Sequence, residues 1–151
     1  MNDDFLGGGL SSIFSHEDIA RSMLRSPYDS ELQFFKDNTH IGGMATDDDR
    51  IILNPHSPLS EREKHAVMMN EFYRLLMKKI PSQTPLPTFD QLQSFSTYGS
   101  PRQIGETVMG RLMSGDPSAG TASPQQTEYM NLLRQADPGI LSNFRKGILS
   151  K

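Results

Sequence analysis

The residues best placed to do chemistry are Asn70-Glu71-Phe72-Tyr73-Arg74, in the middle of the longest helical pattern in the chain. Polar side chains at 70 and 74 stand one turn apart with a glutamate between them. In that spacing two neutral imidazoles would hold Zn²⁺ while the carboxylate activates water. Both imidazoles are missing. Asn70 is a weak zinc ligand, and Arg74 is a permanent cation that repels a divalent metal. His65 lies five residues before Asn70 and points elsewhere on the helix. The same spacing suits a structural polar clamp of Asn70, Glu71 and Arg74. Glu71 and Arg74, at i and i+3, can pair, and Arg74 can donate to backbone carbonyls of Asn54-Pro55-His56 if that segment packs over the helix. The expectation is no catalytic residue and no metal site.

Other candidate chemistries fail on spacing or composition. His16, His40, His56 and His65 fall in four different local elements, and the chain has no cysteine. That excludes disulfides, thiolate zinc sites, iron–sulfur clusters and cysteine nucleophiles together. Asp47-Asp48-Asp49 lacks the alternating ligands, the glycine and the closing glutamate of a calcium loop, so it reads as a solvated turn. Gly115-Asp116-Pro117-Ser118-Ala119-Gly120 has the glycines of a phosphate loop, but it follows a helix and no Gly-Lys-Ser/Thr closes it. No Gly-x-Ser-x-Gly elbow exists. Lys78-Lys79 and Arg145-Lys146 are too few for a nucleic-acid surface. No cofactor is expected, and nucleic acid is not an expected partner.

The elements that position these residues follow from periodicity and caps. With 151 residues but only 35% apolar residues, against ~45–50% counted with glycine, the chain should form a small core with extended termini. Residues 1 to 14, carrying Gly7-Gly8-Gly9, read as a flexible arm with Phe5 and Leu6 as a partner-binding tip. Residues 15 to 136 read as a single helical domain. Ser15 caps a helix near 16 to 25, and Asp29-Ser30 a second one. Residues 41–45 and 50–54 read as the strands of a hairpin. Ser60-Glu61-Arg62-Glu63 is a capping box opening a long central helix that runs to Ile80. Thr88 to Gln91, Ser100-Pro101 and Ser123-Pro124 open further helices. Residues 137 to 151 read as an amphipathic docking helix, with Ile140, Leu141, Phe144, Ile148 and Leu149 on its partner-binding face. The fold class is therefore mainly α with one β-hairpin, an α+β domain. Most of the nine methionines are expected in the core.

No window approaches the ~18 consecutive apolar residues of a membrane span, and Asn2-Asp3-Asp4 is acidic where a signal peptide would be basic. The expectation is a cytoplasmic product without membrane contact. Residues 1 to 50 hold ten acids and four bases, and the remainder eight acids and eleven bases. That polarity is too modest to call for a polyanionic partner.

At Ile41-Gly42-Gly43-Met44-Ala45, Ile51-Ile52-Leu53-Asn54-Pro55, Asn70-Glu71-x-x-Arg74 and Ser114-Gly115-Asp116-Pro117-Ser118-Ala119-Gly120, the sequence resembles small proteins of tailed, podovirus-type bacteriophages. The resemblance covers roughly residues 30 to 125 and implies a phage-encoded, virion-associated protein. It would be made in the host cytoplasm and carried in the particle, docked on other virion subunits, with oligomers open to it. The hairpin-then-helix outline also resembles a minimal zincin that departs from its family at both ligand positions. The leading expectation is a non-enzymatic structural and interaction protein. The alternatives are a zincin-like domain, either peptide-binding or with an unrecognised hydrolase activity, and a phage-encoded regulator of a host protein.

Overall fold

The computed structural model describes residues 15–80, 83–95 and 99–136. The expected arm (1–14) and docking helix (137–151), and with them Phe5, Leu6, Ile140, Leu141, Phe144, Ile148 and Leu149, lie outside the described residues.

Among the described residues, six helices and one hairpin follow in the order α1 (His16–Met23), α2 (Asp29–Asp37), β1 (Gly43–Ala45), β2 (Ile51–Leu53), α3 (Glu61–Lys79), α4 (Phe89–Ser94), α5 (Pro101–Met113), a 3₁₀ turn (Pro117–Ala119) and α6 (Pro124–Arg134). The architecture is mainly α with one antiparallel hairpin, an α+β domain built on the long central helix α3.

Most helix starts follow one grammar, a hydroxyl cap answered by an acid or amide three residues on. In α3 the Glu63 N–H donates to Ser60 Oγ at 3.2 Å, and the Ser60 N–H donates to Glu63 Oε1 at 3.0 Å. Thr88 with Gln91, Ser100 with Gln103 and Ser123 with Gln126 repeat the box, each satisfying two otherwise orphaned N–H groups. α2 departs from expectation. Its cap position is Tyr28, whose N–H donates to Glu31 at 2.8 Å, while Asp29 and Ser30 already lie in the first turn.

α3 buries residues around most of its circumference. Phe72, Leu75 and Leu76 expose nothing, and Met68, Met69, Tyr73 and Met77 join them in the core. A helix this widely apolar needs covering on several sides, and α1, the hairpin, α5 and α6 provide the cover. Met23 and Met109 are also buried, Met113 and Met130 pack at the margin, and Met44 is exposed.

The strands are shorter than the sequence indicates because their ends are taken by other bonds. β1 and β2 pair in the register Gly43↔Leu53, Met44↔Ile52, Ala45↔Ile51. Helix α1 stops at Met23 because Leu24 bridges Ile51 and the Arg25 N–H donates to Ile51 O at 3.0 Å. Arg50 ties the same corner, donating to Met23 O and Leu24 O. Buried Asn54 ends β2; its amide donates to Ile41 O at 2.7 Å, with Phe35 O and Asn38 O also in reach, and its Oδ1 accepts from the His56 N–H.

Far from the hairpin, Gln91 and Gln126, both buried, join α4 to α6. Gln91 Nε2 donates to Gln126 Oε1 at 3.0 Å, and Gln126 Nε2 donates back to Gln91 Oε1 at 2.8 Å. The remaining N–H of each amide goes to Thr121 O and Leu86 O respectively. The two oxygens also accept from the Thr88 and Ser123 N–H groups. Two capping boxes are thereby locked together with every donor and acceptor used.

Candidate functional site: a cleft between the hairpin and α5

Residues His40–Ala45 run along one wall of a cleft of about 460 Å³, α3 forms its floor, and Gln103, Thr107 and Arg111 of α5 form the opposite wall. β1 can lie this close to α3 because Gly42 and Gly43 carry no side chain. A Cβ on either would come within 2.9 Å of a Val67 methyl carbon.

The floor holds Asn70, Glu71 and Arg74, which the structure brings together. Arg74 Nε donates to Glu71 Oε1 at 3.3 Å, and Asn70 Nδ2 donates to Glu71 Oε2 at 3.2 Å. The Ala45 N–H of β1 also donates to this carboxylate, which couples the hairpin to the helix. Burial pushes the Glu71 carboxyl above its ordinary value, with the Arg74 charge and these hydrogen bonds pulling the other way.

Arg74 does not reach the carbonyls of Asn54-Pro55-His56, contrary to expectation. β1 runs along α3 with Gly42 beside Val67 and Ala45 at Glu71. The Asn54 end, bonded to Gly42, therefore lies about two helical turns before Arg74, on the order of 10 Å away. Arg74 turns to α5 instead, where its Nη2 donates to Thr107 Oγ1 at 3.0 Å and its Nη1 lies 3.7 Å from Glu106 Oε1. Arg102, largely exposed, reaches the other Glu106 oxygen at 3.4 Å. Glu106 and Thr107 complete the cluster, and the sequence spacing around residue 70 contains no trace of them because they come from another helix.

Next to this network α3 and α5 make close backbone contact. Gly110 faces Asn70, and a Cβ there would sit 2.0 Å from Asn70 Oδ1 and 3.1 Å from the Asn70 backbone oxygen. Asn70 Oδ1 is buried and has no hydrogen-bond partner among the described residues.

The cleft is rich in donors. Lys78 and His40 are exposed at its rim, and Arg111 is shared with Asp116 at 3.2 Å. Glu71 is the carboxylate lining it. Thr107 Oγ1 donates to the Gln103 carbonyl rather than to a base. The four histidines stay apart: His16 Nδ1 lies 3.1 Å from the Tyr73 hydroxyl, His65 faces Glu17, His40 is on the cleft and His56 is beside Asn54. Burial lowers the His16 pKa. Among the described residues no three His, Asp or Glu side chains group as metal ligands, and no helix is long and apolar enough to cross a membrane. The 115–120 loop folds as a 3₁₀ turn in which Asp116 accepts from the Ser118 N–H at 2.9 Å.

Compared with known proteins, the chain matches no family model, no curated protein and no solved structure.

Proposed function

We propose that the chain is a non-enzymatic structural and interaction protein, a component of a tailed-phage particle that docks on neighbouring virion subunits. The setting rests on the resemblance of its hairpin, helix and loop motifs to podovirus-type proteins. The observation that carries the interaction role is the state of Glu71. One oxygen is held by Arg74, the other by Asn70, and the Ala45 N–H donates to the same carboxylate. The helix that outlines a hydrolase site thus serves as a scaffold, and the surface beside it is an open cleft of hydrogen-bond donors.

Mass spectrometry of purified particles from the encoding phage tests this reading. Finding the chain at reproducible stoichiometry supports it, and particles lacking the chain overturn the virion role and favour a regulator acting on a host protein. Stoichiometric zinc in the purified protein would overturn the non-enzymatic reading in favour of a zincin-like domain.

A further inference from the structure

The two ends of the cleft differ in chemistry, because α3 and α5 run antiparallel along it. Asn70 faces Gly110 and Arg74 bonds to Thr107, so Lys78, one turn further along α3, comes level with Gln103. About three turns back from Lys78, on the order of 15 Å, the lining is Ile41, Gly42, Gly43 and Val67. α3 already covers the outer edge of β1 there, with Val67 against Gly42 and Gly43 and the Glu71 carboxylate on the Ala45 N–H. That end therefore offers an incoming molecule apolar surface and no strand edge to pair with.

The charged lining consists of Arg74, Lys78 and Arg111 against Glu71. Arg74 is held between Glu71 and Glu106, and Arg111 donates to Asp116 while its guanidinium carbon sits 5.1 Å from the Phe95 ring centre. No acid among the described residues pairs with Lys78. At the same level Gln103 uses its Oε1 to accept from the Ser100 N–H, which leaves its amide N–H groups without an acceptor among the described residues. One end of the cleft thus holds an ammonium and an amide donor to spare, and the other holds apolar surface.

We propose that the cleft binds a small organic anion with an elongated apolar body, an acyl-chain carboxylate. Its head group accepts from Lys78 and Gln103, and its chain runs along β1 toward Ile41 and Val67. At about 460 Å³ the cleft falls in the ~300–1,000 Å³ range of small-molecule sites, in which apolar surface supplies contact and a few placed polar groups fix orientation. A charged head is selected because the hydrogen bonds an ammonium makes to a carboxylate are about twice as strong as neutral ones. Such a ligand goes beyond the docking role, and its binding does not depend on that role.

Isothermal titration of the full chain with decanoate, kept at monomeric concentration, tests the site. Decanoate should bind, while decanol, with the same chain and no charge, and acetate, the head group alone, should each bind ~10-fold or more weakly. Lys78→Gln should weaken decanoate ~5-fold or more. Lys36→Gln, at an exposed position of α2, should leave it unchanged. Equal affinity for decanol overturns selection of the anion, and equal affinity for acetate overturns the apolar groove. An unchanged affinity in Lys78→Gln, or an equal loss in Lys36→Gln, overturns the location. No binding of decanoate overturns the site. Retention of the chain on phosphatidylglycerol vesicles without binding of monomeric decanoate would reassign the surface to a membrane and overturn the small-ligand site. The composition of purified particles bears on docking alone, so each reading can fail without the other.

Discussion

Gln91 and Gln126 bond to each other through both ends of their amides while each also closes the first turn of its own helix. Neither finds water as a substitute partner, since both are buried. Gln91→Ala should therefore cost about 1–3 kcal/mol by leaving Gln126 and the Thr88 N–H unsatisfied. Gln125→Ala, at an exposed position one residue from Gln126, should stay within about 0.5 kcal/mol. Urea unfolding of the two variants measures the difference; equal midpoints would mean the pair is not a lock.

Arg74 stands between two nearly buried carboxylates, 3.3 Å from Glu71 and 3.7 Å from Glu106. Its removal leaves both charges in a poorly solvated site, so Arg74→Ala should destabilise by about 2–4 kcal/mol. Arg102→Ala, whose side chain is 65% exposed, should cost no more than about 0.5 kcal/mol. Thermal melts of both variants decide it, and an unchanged melting temperature for Arg74→Ala would make the cluster a surface feature.

Gly110 is where α3 and α5 touch. Gly110→Ala drives a methyl group into Asn70 Oδ1 and should cost about 1–3 kcal/mol. Asn70→Ala clears that oxygen, so the double variant should be more stable than the sum of the single losses requires. Additive losses in urea titrations would show that the close approach is relieved some other way.

Acid stability should show Glu31 directly. Arg25 donates to both Glu31 oxygens, at 2.8 and 2.9 Å, and the Tyr28 N–H adds a third bond. Together they hold the carboxyl at about 2 against an ordinary 4.5. Because the folded value lies below the unfolded one, this contribution is complete above pH 4.5 and fades as pH falls toward 2. Glu71 acts with the opposite sign: its raised carboxyl favours the folded state at low pH and that favour is lost as pH rises through the folded value. Stability measured against pH should fall less steeply below pH 4.5 in Glu31→Gln than in the parent; identical slopes would contradict the assignment.

The sequence made the local grammar legible and the tertiary matches opaque. Ser60 with Glu63, Thr88 with Gln91 and the Ser-Pro starts at 100 and 123 could be read because a cap and its answer lie three residues apart. The apolar breadth of α3 is equally local, since Ala66, Val67, Met69, Phe72, Tyr73, Leu75, Leu76 and Met77 spread over more than one helix face. The clasp of Gln91 on Gln126 spans 35 residues, and the amide that closes a box looks the same whether it faces solvent or a second box. Residues 70 and 74 share a helix face by spacing alone, but the acceptor of Arg74 depends on how far along α3 the hairpin sits. That level is set by Gly42 and Gly43 against Val67, a fit no periodicity encodes. Tyr28 displaced Asp29-Ser30 as the cap position of α2 because Arg25 fixes Glu31 and so selects where the helix begins.

The most direct test of the interaction account places a photo-crosslinking residue in the full chain at His40, on the cleft rim, and separately at Gln125, an exposed position of α6. In purified particles the probe at 40 should join the chain to another virion subunit while the probe at 125 does not. Particles that contain the chain but yield no adduct from position 40, or the same adduct from both positions, would contradict the cleft as the docking surface.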